Sequence, residues 1–439
     1  MKIDLSFNAI NKLAVPALIA GIAEPIISAT DLAIIGNLPE HSVEAASAVG
    51  IVVFFLNFLI WTLGQSRSAI SSIISQYLGA GKLDEVKNLP MQAMLIVFVI
   101  SVVILGITYP FARDIFSWYK AKGLVLDYCV DYYQIRALGF PLILITFAII
   151  GTFRGLQNTY YPMLVALTGL VLNIGLDFLL VFGVEGFVEP MGLPGAAWAS
   201  VVSQVVMVVM AFYLLYTKTD ILFRLQFPFN KEIKNLLIMI FNLFVRTLAL
   251  NIAINLAMRY ATGYGETYSN AYSIAINLWF ICAFVIDGYA SAGNMLAGRL
   301  LGANDYVNLN LLRKKLTKYG LTVGILLFLV LGVLYLPIGR LYSNNPEVRS
   351  VFYNSFWLTI AMQPLCAIAF IYDGMYKGMG RMKKLRNLLL ISTFLGFIPV
   401  LYFSDYLGLK LHGIWLAFVV WIFIRGLILK IDFKKVYVN

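Results

Sequence analysis

The sequence predicts an all-α polytopic membrane protein with twelve transmembrane helices in two six-helix lobes related by pseudo-two-fold symmetry. Hydrophobic residues make up 61% of the 439 residues and charged residues 13%, whereas soluble globular chains are roughly 45–50% apolar and ~25% charged. The apolar residues fall in long, evenly spread runs, and one constant offset aligns the two halves of the chain. Because so large an apolar excess cannot be buried in a soluble core, we expect the helices to lie in a lipid bilayer.

The apolar runs set the number of spans. A bilayer core about 30 Å thick is crossed by about 20 helical residues. By this criterion the sequence predicts spans at residues 13–36, 46–70, 90–111, 129–152, 159–183, 195–216, 235–258, 268–297, 315–339, 351–376, 387–404 and 411–429. Proline and glycine inside a span are tolerated in membranes but bend helices. We therefore expect bends near Pro16, Pro25, Pro141, Gly175 and Pro364.

The distribution of basic residues predicts the orientation. Of the 33 lysines and arginines, 22 lie in the termini, in the loops after even-numbered spans or in the first four residues of the ninth span. Seven lie in the other loops, and four lie deeper within spans. Basic loops stay on the cytoplasmic side. We expect a multi-pass protein of a bacterial-type cytoplasmic (inner) membrane with both termini in the cytoplasm.

An internal duplication predicts the domain organisation. An offset of 223 residues superimposes Pro141 on Pro364 and Gly151 on Gly374, together with the pattern of spans. Because the offset covers six helices, an even number, both lobes have the same orientation in the membrane. The predicted N-terminal lobe, cytoplasmic linker and C-terminal lobe are residues 1–216, 217–234 and 235–439.

Composition excludes several kinds of chemistry. Two histidines and three cysteines are too few and too scattered for a structural zinc site, a disulfide framework or a Cys–His nucleophile. The net charge of +11 is explained by the topology of the loops, so no nucleic-acid partner is expected. We expect no catalytic residue, no cofactor and no metal centre.

Acidic residues inside spans need a reason, because a charged side chain at the bilayer centre costs at least about 2.5–3.5 kcal/mol. Glu24 and Asp31 are two helical turns apart on span 1, and Asn173 and Asp177 are one turn apart on span 5, so each pair shares a face. Ser200 lies in the first turns of span 6. If these spans pack together, Asp31, Asn173, Asp177 and Ser200 form an oxygen-rich cluster that takes a proton or a small hard cation such as Na⁺. The alternative is a polar network that only joins helices.

The second lobe holds weaker candidates. Arg246 and Asp287 are predicted to form a buried ion pair, whereas Asp373, near the cytoplasmic end of span 10, is interpreted as a charge clamp at the membrane surface. Tyr272 and Trp279 in span 8 are candidates to line a hydrophobic cavity for flat cations. Lipid contact is the more common role of such aromatic residues.

Ordered motifs across nearly the whole chain resemble the multidrug and toxic compound extrusion (MATE) family, and within it the DinF branch. They are PALIAGIAEPIISATDLAIIGNL at 16–38, LGAG at 78–81, FRGLQNTYYPM at 153–163, GAAWASVVSQ at 195–204, DGYASAGNMLAGRLLGA at 287–303 and PLCAIAFIYDGMYKG at 364–378. The resemblance implies a monomeric antiporter in which proton or sodium entry drives export of small amphipathic, often cationic, compounds by alternating access. Its partners would be these substrates and membrane lipids.

The resemblance also implies residue roles. Asp31 resembles the span 1 carboxylate whose protonation bends that helix, with Asn173 and Asp177 as its span 5 partners and Ser200 where relatives often have threonine. Glu24 departs from the family pattern and adds a third titratable group. Asn294 and Cys366 stand where relatives of two branches have acidic residues. Coupling is therefore expected in the first lobe.

Two other classes of function remain as alternatives. A flippase for lipids or lipid-linked saccharides would share the two-lobe architecture and is expected to line its cavity with cations. An intramembrane enzyme is the remote alternative: Tyr372-Asp373 matches one half of an intramembrane aspartyl protease motif, but the second motif is absent, as are HExxH and GxSxG.

Overall fold

The computed structural model describes residues 3–437, apart from the side chain of Glu24, and this part of the chain is almost entirely α-helical. The helices α1 to α18 are Phe7–Ile35, Ser42–Leu63, Ser66–Gly79, Leu89–Thr108, Ala112–Trp118, Gly123–Arg136, Phe140–Gly155, Tyr160–Phe182, Leu193–Lys218, Ile233–Gly263, Glu266–Gly302, Tyr306–Val333, Tyr335–Tyr342, Pro346–Ala361, Gln363–Gly378, Met382–Ile391, Ile398–Tyr406 and Lys410–Tyr437. Short 3-10 turns at Leu83–Val86 and Ala137–Gly139 and a π-helical turn at Ser392–Phe397 adjoin them.

The predicted twelve spans are confirmed. Eleven helical stretches of the described residues are long and apolar enough to cross a membrane, and α14 with α15 forms a twelfth that bends by 46°. The helices extend beyond the predicted limits: α11 covers residues 266–302, against a predicted span of 268–297. Hydropathy detects only the stretch in contact with hydrocarbon, whereas the backbone hydrogen bonds continue past it.

Proline marks the break in two spans. Pro364 is the second residue of α15, directly after the bend that follows α14. Its counterpart Pro141 is the second residue of α7, directly after the 3-10 turn that follows α6. Proline fits the first turn of a helix because no hydrogen bond is required there. By contrast, α1 continues past Pro16 and Pro25 as one helix.

The chain forms two compact units. The N unit comprises residues 19–74 and 82–240, and the C unit comprises the residues up to Leu18, Ser75–Gly81 and everything from Phe241 onward. These limits differ from the predicted lobes at the start of α1, at the end of α3 and at the linker. Hydropathy and a repeat offset show where spans lie, but they do not show on which neighbours a segment packs.

The linker is held by the N unit. Its residues 219–232 join α9 to α10 outside the helices. The side-chain amide of Gln92, on α4, donates to the carbonyl oxygen of Gln226 at 2.7 Å. The ammonium group of Lys231 lies 2.6 Å from a carboxylate oxygen of Glu85. The linker is therefore fixed by specific contacts within this unit.

The first turns of α1 belong to the hydrophobic core of the C unit. Leu5, just before α1, and Ile10 and Ala14 within it are buried in one cluster with residues of α11, α12, α15 and α18. The hydroxyl group of Tyr289, on α11, donates to the side-chain oxygen of Asn11 at 2.8 Å. These contacts explain why the compact unit includes residues that precede the first span in the sequence.

Glycines at repeated positions let helices approach closely in both units. In the C unit, a Cβ atom at Gly374 would lie 2.1 Å from the carbonyl oxygen of Ala290. In the N unit, a Cβ atom at Gly151 would lie 2.6 Å from the carbonyl oxygen of Arg67. Both partners in these contacts are separated by the offset of 223 residues, so the duplication predicted from sequence is visible as the same helix packing in each unit.

We predict that Gly374→Val destabilises the C unit, because its side chain would collide with backbone that cannot move aside. Overpacking of this kind costs about 1–3 kcal/mol, so thermal unfolding of the purified protein, followed by tryptophan fluorescence, should occur at a clearly lower temperature. Gly332→Val on α12 is the matched control, since a Cβ atom there meets nothing within 4 Å. Equal melting temperatures for the two variants would contradict the packing described.

Candidate functional site

The structure brings together four of the predicted polar residues inside the N unit. Asp31 lies on α1, Asn173 and Asp177 on α8, and Ser200 on α9, and all four are at most 3% exposed. The Asn173 side-chain amide donates to the Ser200 hydroxyl at 3.3 Å, and that hydroxyl donates to a carboxylate oxygen of Asp31 at 3.5 Å. The one-turn spacing of Asn173 and Asp177 directs both side chains to this point.

Most oxygens of this cluster lack a donor. The carboxyl groups of Asp31 and Asp177 lie within hydrogen-bonding reach of each other, but two carboxylates form a hydrogen bond only when a proton lies between them. Among the described residues no donor reaches the second oxygen of Asp31, the amide oxygen of Asn173 or either oxygen of Asp177. Buried oxygens in this state are costly, and a proton or a small cation would satisfy them.

Two residues that the sequence argument did not select complete the cluster. Tyr132, fully buried on α6, and Arg136, one turn further, both lie near enough to act electrostatically with Asp31 and Asp177. When the Gln204 amide is oriented to satisfy its neighbours, its oxygen accepts from Arg136 at 2.8 Å. The sequence feature that could have identified them is the one-turn spacing of Tyr132 and Arg136 within span 4.

The electrostatics of the cluster define what it can hold. Two ionised carboxylates beside the permanent charge of Arg136 leave one negative charge in a buried site. A single monovalent cation or proton neutralises that charge. The part of the chain that the structure describes contains no group of three or more His, Cys, Asp or Glu side chains that could hold a metal ion. The side chain of Glu24 lies outside the described residues, so its role stays a prediction.

A second polar cluster lies in the C unit, and it corrects the predicted ion pair. A guanidinium nitrogen of Arg246 donates to both carboxylate oxygens of Asp373 at 2.8 Å. Lys377, one turn further on α15, lies 3.1 Å from the same carboxylate, and Arg425, on α18, lies 3.8 Å from it. Asp287 is exposed, so the predicted Arg246–Asp287 pair is wrong. Instead, Asp373 is paired with basic side chains from α10, from α18 and from its own helix, α15.

The interpretation of Asp373 as a surface clamp is also wrong. Asp373 is 6% exposed, and its partners Arg246 and Arg425 are 5% and 4% exposed. The sequence places Asp373 near the predicted end of a span, but the helix continues to Gly378 and is covered by α11, α12 and α18. We name Arg246, Asp373, Lys377 and Arg425 the C-unit cluster.

The two aromatic candidates of span 8 lie in the core of the C unit. Tyr272 and Trp279 are 1% and 3% exposed. The ring of Tyr272 packs against Trp415 with 5.7 Å between centroids, and that of Trp279 packs against Phe418 at 5.6 Å. The indole N–H of Trp279 donates to the sulfur of Cys366 at 3.4 Å. In this structure both side chains contribute packing between helices.

The twelve spans and the buried polar clusters define a polytopic membrane transporter, and the comparisons with known proteins agree. The MatE family model matches residues 16–179 and 238–403, more than half of the chain. The chain therefore belongs to the MatE family of multidrug and toxic compound transporters, which confirms the resemblance found in the sequence.

Two relatives and a solved structure match along nearly the whole chain. Protein DETOXIFICATION 44, chloroplastic, of Arabidopsis thaliana is 26% identical over 95% of this chain and 80% of its own length. DNA damage-inducible protein F of Escherichia coli strain K12 is 23% identical over 99% of this chain and 93% of its own. The crystal structure of MATE in the bent conformation superimposes with a TM-score of 0.88 at 20% identity, covering 98% and 97% of the two chains. The fold is thus that of MATE transporters.

We predict that Asp373→Asn strongly destabilises the protein, because it leaves three buried cations without their counter-charge. Breaking a buried ion pair in this way costs about 3–5 kcal/mol, so the variant should unfold at a much lower temperature than the parent protein. Asp127→Asn is the control, since the side chains of Asp127 and its partner Arg113 are 52% and 65% exposed, and such pairs contribute about 0–1 kcal/mol. An unchanged melting temperature for Asp373→Asn would contradict this account.

Proposed function

We propose that the protein is a secondary antiporter that exports small amphipathic, often cationic, compounds and is driven by the entry of a cation, with the proton as the coupling ion. The observation that carries the proposal is the buried pair of Asp31 and Asp177, whose oxygens lack donors among the described residues. A membrane protein that only needed to join helices could use neutral hydrogen bonds, which cost far less to bury than carboxylates.

The cluster supplies the coupling step of this mechanism. With both carboxylates ionised, the site attracts one proton, which then lies between Asp31 and Asp177 and removes the net negative charge that remains beside Arg136. Proton binding and substrate binding favour different conformations of the transporter, so each ligand changes the affinity for the other. The site is then open to each side of the membrane in turn, so that an entering proton is exchanged for a leaving substrate.

Sodium is the second candidate for the coupling ion. Its support is the pair of neutral oxygens, from Asn173 and Ser200, that accompany the carboxylates of Asp31 and Asp177. Hard cations prefer such oxygen ligands. We favour the proton because the two carboxyl groups are within hydrogen-bonding reach of each other, an arrangement that one shared proton satisfies without further ligands.

The proposal includes the location, the orientation and the oligomeric state of the protein. A bacterial relative that matches 99% of this chain and the basic loops support a cytoplasmic membrane location with both termini in the cytoplasm. We further propose that the protein acts as a monomer, since the coupling residues Asp31, Asn173, Asp177 and Ser200 all come from one compact unit of one chain.

We predict that Asp31→Asn and Asp177→Asn each abolish coupled export while the protein still folds. The assay is efflux of rhodamine 123, a lipophilic cation, from proteoliposomes under an imposed pH gradient. The efflux rate of each variant should be at least about tenfold lower than that of the parent protein and equal to that of protein-free liposomes, because removing one carboxylate removes the shared proton. Asp127→Asn is the matched control: it changes the same functional group in the same unit, in an exposed pair with Arg113. Efflux retained in both site variants would refute the assignment.

We predict that Ser200→Ala distinguishes the two coupling ions. A proton needs only the carboxyl pair, so pH-driven efflux should stay within about threefold of the parent protein, the loss of one neutral hydrogen bond being worth about 1 kcal/mol. A sodium site would lose one of its few ligands. Sodium-driven efflux at constant pH that is larger than pH-driven efflux in the parent protein, and is lost in Ser200→Ala, would assign the site to sodium instead.

A further inference from the structure

A cavity of about 460 Å³ lies in the C unit, between the ends of α15 and α18 and the start of α16. Its volume falls within the range of about 300–1,000 Å³ that is typical of ligand sites. Among the described residues that line it, three are basic and one is acidic: Arg381, Lys383, Lys384 and Asp432. We name it the α16 cavity, and its lining has an excess of positive charge.

The acidic residue of the α16 cavity is already paired. The carboxylate of Asp432 accepts from the hydroxyl group of Tyr376, a buried residue, and forms an ion pair with the ammonium group of Lys384. The charges of Asp432 and Lys384 therefore cancel. The excess positive charge of the cavity is carried by Arg381 and Lys383.

Arg381 and Lys383 have donors to offer a ligand. Neither side chain forms an ion pair among the described residues, and both are exposed. The Nε–H group of Arg381 donates to the hydroxyl oxygen of Tyr437 at 3.3 Å, whereas its two terminal nitrogens have no acceptor in the same part of the chain. Ammonium and guanidinium groups bind phosphate oxygens through charge-assisted hydrogen bonds, and a guanidinium can form two at once. The donors of the cavity thus match a phosphate group.

The position of the cavity along its span favours a lipid over a free phosphate. The basic residues of the cavity directly precede the eleventh predicted span, 387–404, so they lie at the level of the lipid headgroups. Ile391 and Leu395 follow the cavity residue Asn387 at intervals of four residues, and they are 47% and 74% exposed. Residues at this spacing share a face of a helix. An exposed apolar surface therefore continues from the cavity toward the bilayer core, where acyl chains lie.

We propose that the α16 cavity binds the phosphate group of an anionic phospholipid in the cytoplasmic leaflet. The phosphate oxygens accept from Arg381 and Lys383, and the acyl chains lie along the exposed face that begins at Ile391. Basic pockets between transmembrane helices on the cytoplasmic side are suited to anionic headgroups. The proposal rests on the proposed orientation of the protein and is independent of the proposed antiport.

Two phospholipids that differ only in the headgroup test the proposal. Dioleoylphosphatidylglycerol is anionic, whereas dioleoylphosphatidylcholine has the same acyl chains and a zwitterionic headgroup. Native mass spectrometry of the purified protein in detergent, titrated with each lipid, gives the dissociation constant for the first bound lipid. We expect the parent protein to bind phosphatidylglycerol at least about fivefold more tightly than phosphatidylcholine, the effect of one basic residue near a lipid surface.

Variants assign the preference to the cavity. Arg381→Gln combined with Lys383→Gln should weaken phosphatidylglycerol binding at least about tenfold and leave phosphatidylcholine binding within about threefold. Lys383→Gln alone should weaken phosphatidylglycerol binding about fivefold, and it removes an exposed side chain, so the protein should still fold. The matched control is Lys434→Gln combined with Lys435→Gln. It removes two exposed charges from the last turn of α18, outside the residues that line the cavity, and should change neither affinity more than about threefold. Melting temperatures show that each variant is folded.

Three results would overturn the lipid site. The first is equal affinity of the parent protein for the two lipids. The second is a preference for phosphatidylglycerol that survives in both cavity variants, or that the control loses as fully as the double cavity variant does. The third is release of bound phosphatidylglycerol by soluble sn-glycerol 3-phosphate in about hundredfold excess, which would assign the cavity to a free phosphate compound. We expect the lipid to stay bound, because the soluble compound lacks acyl chains. None of these measurements uses an ion gradient, so a failure of the proposed antiport would be seen separately.

Discussion

Charge buried within a membrane must be neutralised by other groups at the same depth, and this constraint explains both polar clusters. In the C unit three cations surround Asp373, so the carboxylate is fully paired and the excess charge is positive. In the N unit Asp31 and Asp177 lie side by side near Arg136, and the excess is negative. The excess of buried charge therefore differs in sign between the two units.

The fold was largely predictable, because lipid imposes a simple rule on sequence. Runs of about 20 apolar residues marked all twelve spans, and Pro141 and Pro364 marked two of the breaks within spans. The limits of the compact units were not predictable. Leu5 and the first turns of α1, with Ile10 and Ala14, join the C unit through packing contacts that leave no pattern in hydropathy.

The candidate site was predictable where one helix presents two polar residues. Asn173 and Asp177 share a face of α8, and the cost of burying Asp31 required a partner, so the structure brings these residues together as expected, while their function stays a proposal. The C-unit cluster could not be predicted, because a carboxylate in a span can pair with any of several helices. The sequence predicted Asp287 as the partner of Arg246 and placed Asp373 at the membrane surface, because neither the rotation of the helices nor the true end of α15 can be read from hydropathy. Arg136 is one of the four basic residues that lie within spans, and the sequence does not show which neighbouring helices such a residue contacts.

The equivalent glycine contacts in the two units indicate how the two halves diverged after duplication. Gly151 meets the backbone of Arg67, and Gly374 meets the backbone of Ala290 at the equivalent place. The residue contacted by the glycine has a long cationic side chain in one half, Arg67, and a methyl group in the other, Ala290. The crossing of the helices is the same in both halves, because each glycine contacts only main-chain atoms of that residue. Evolution could therefore change the chemistry of either half without altering its framework, which is how two copies of one ancestral bundle came to carry buried charges of opposite sign.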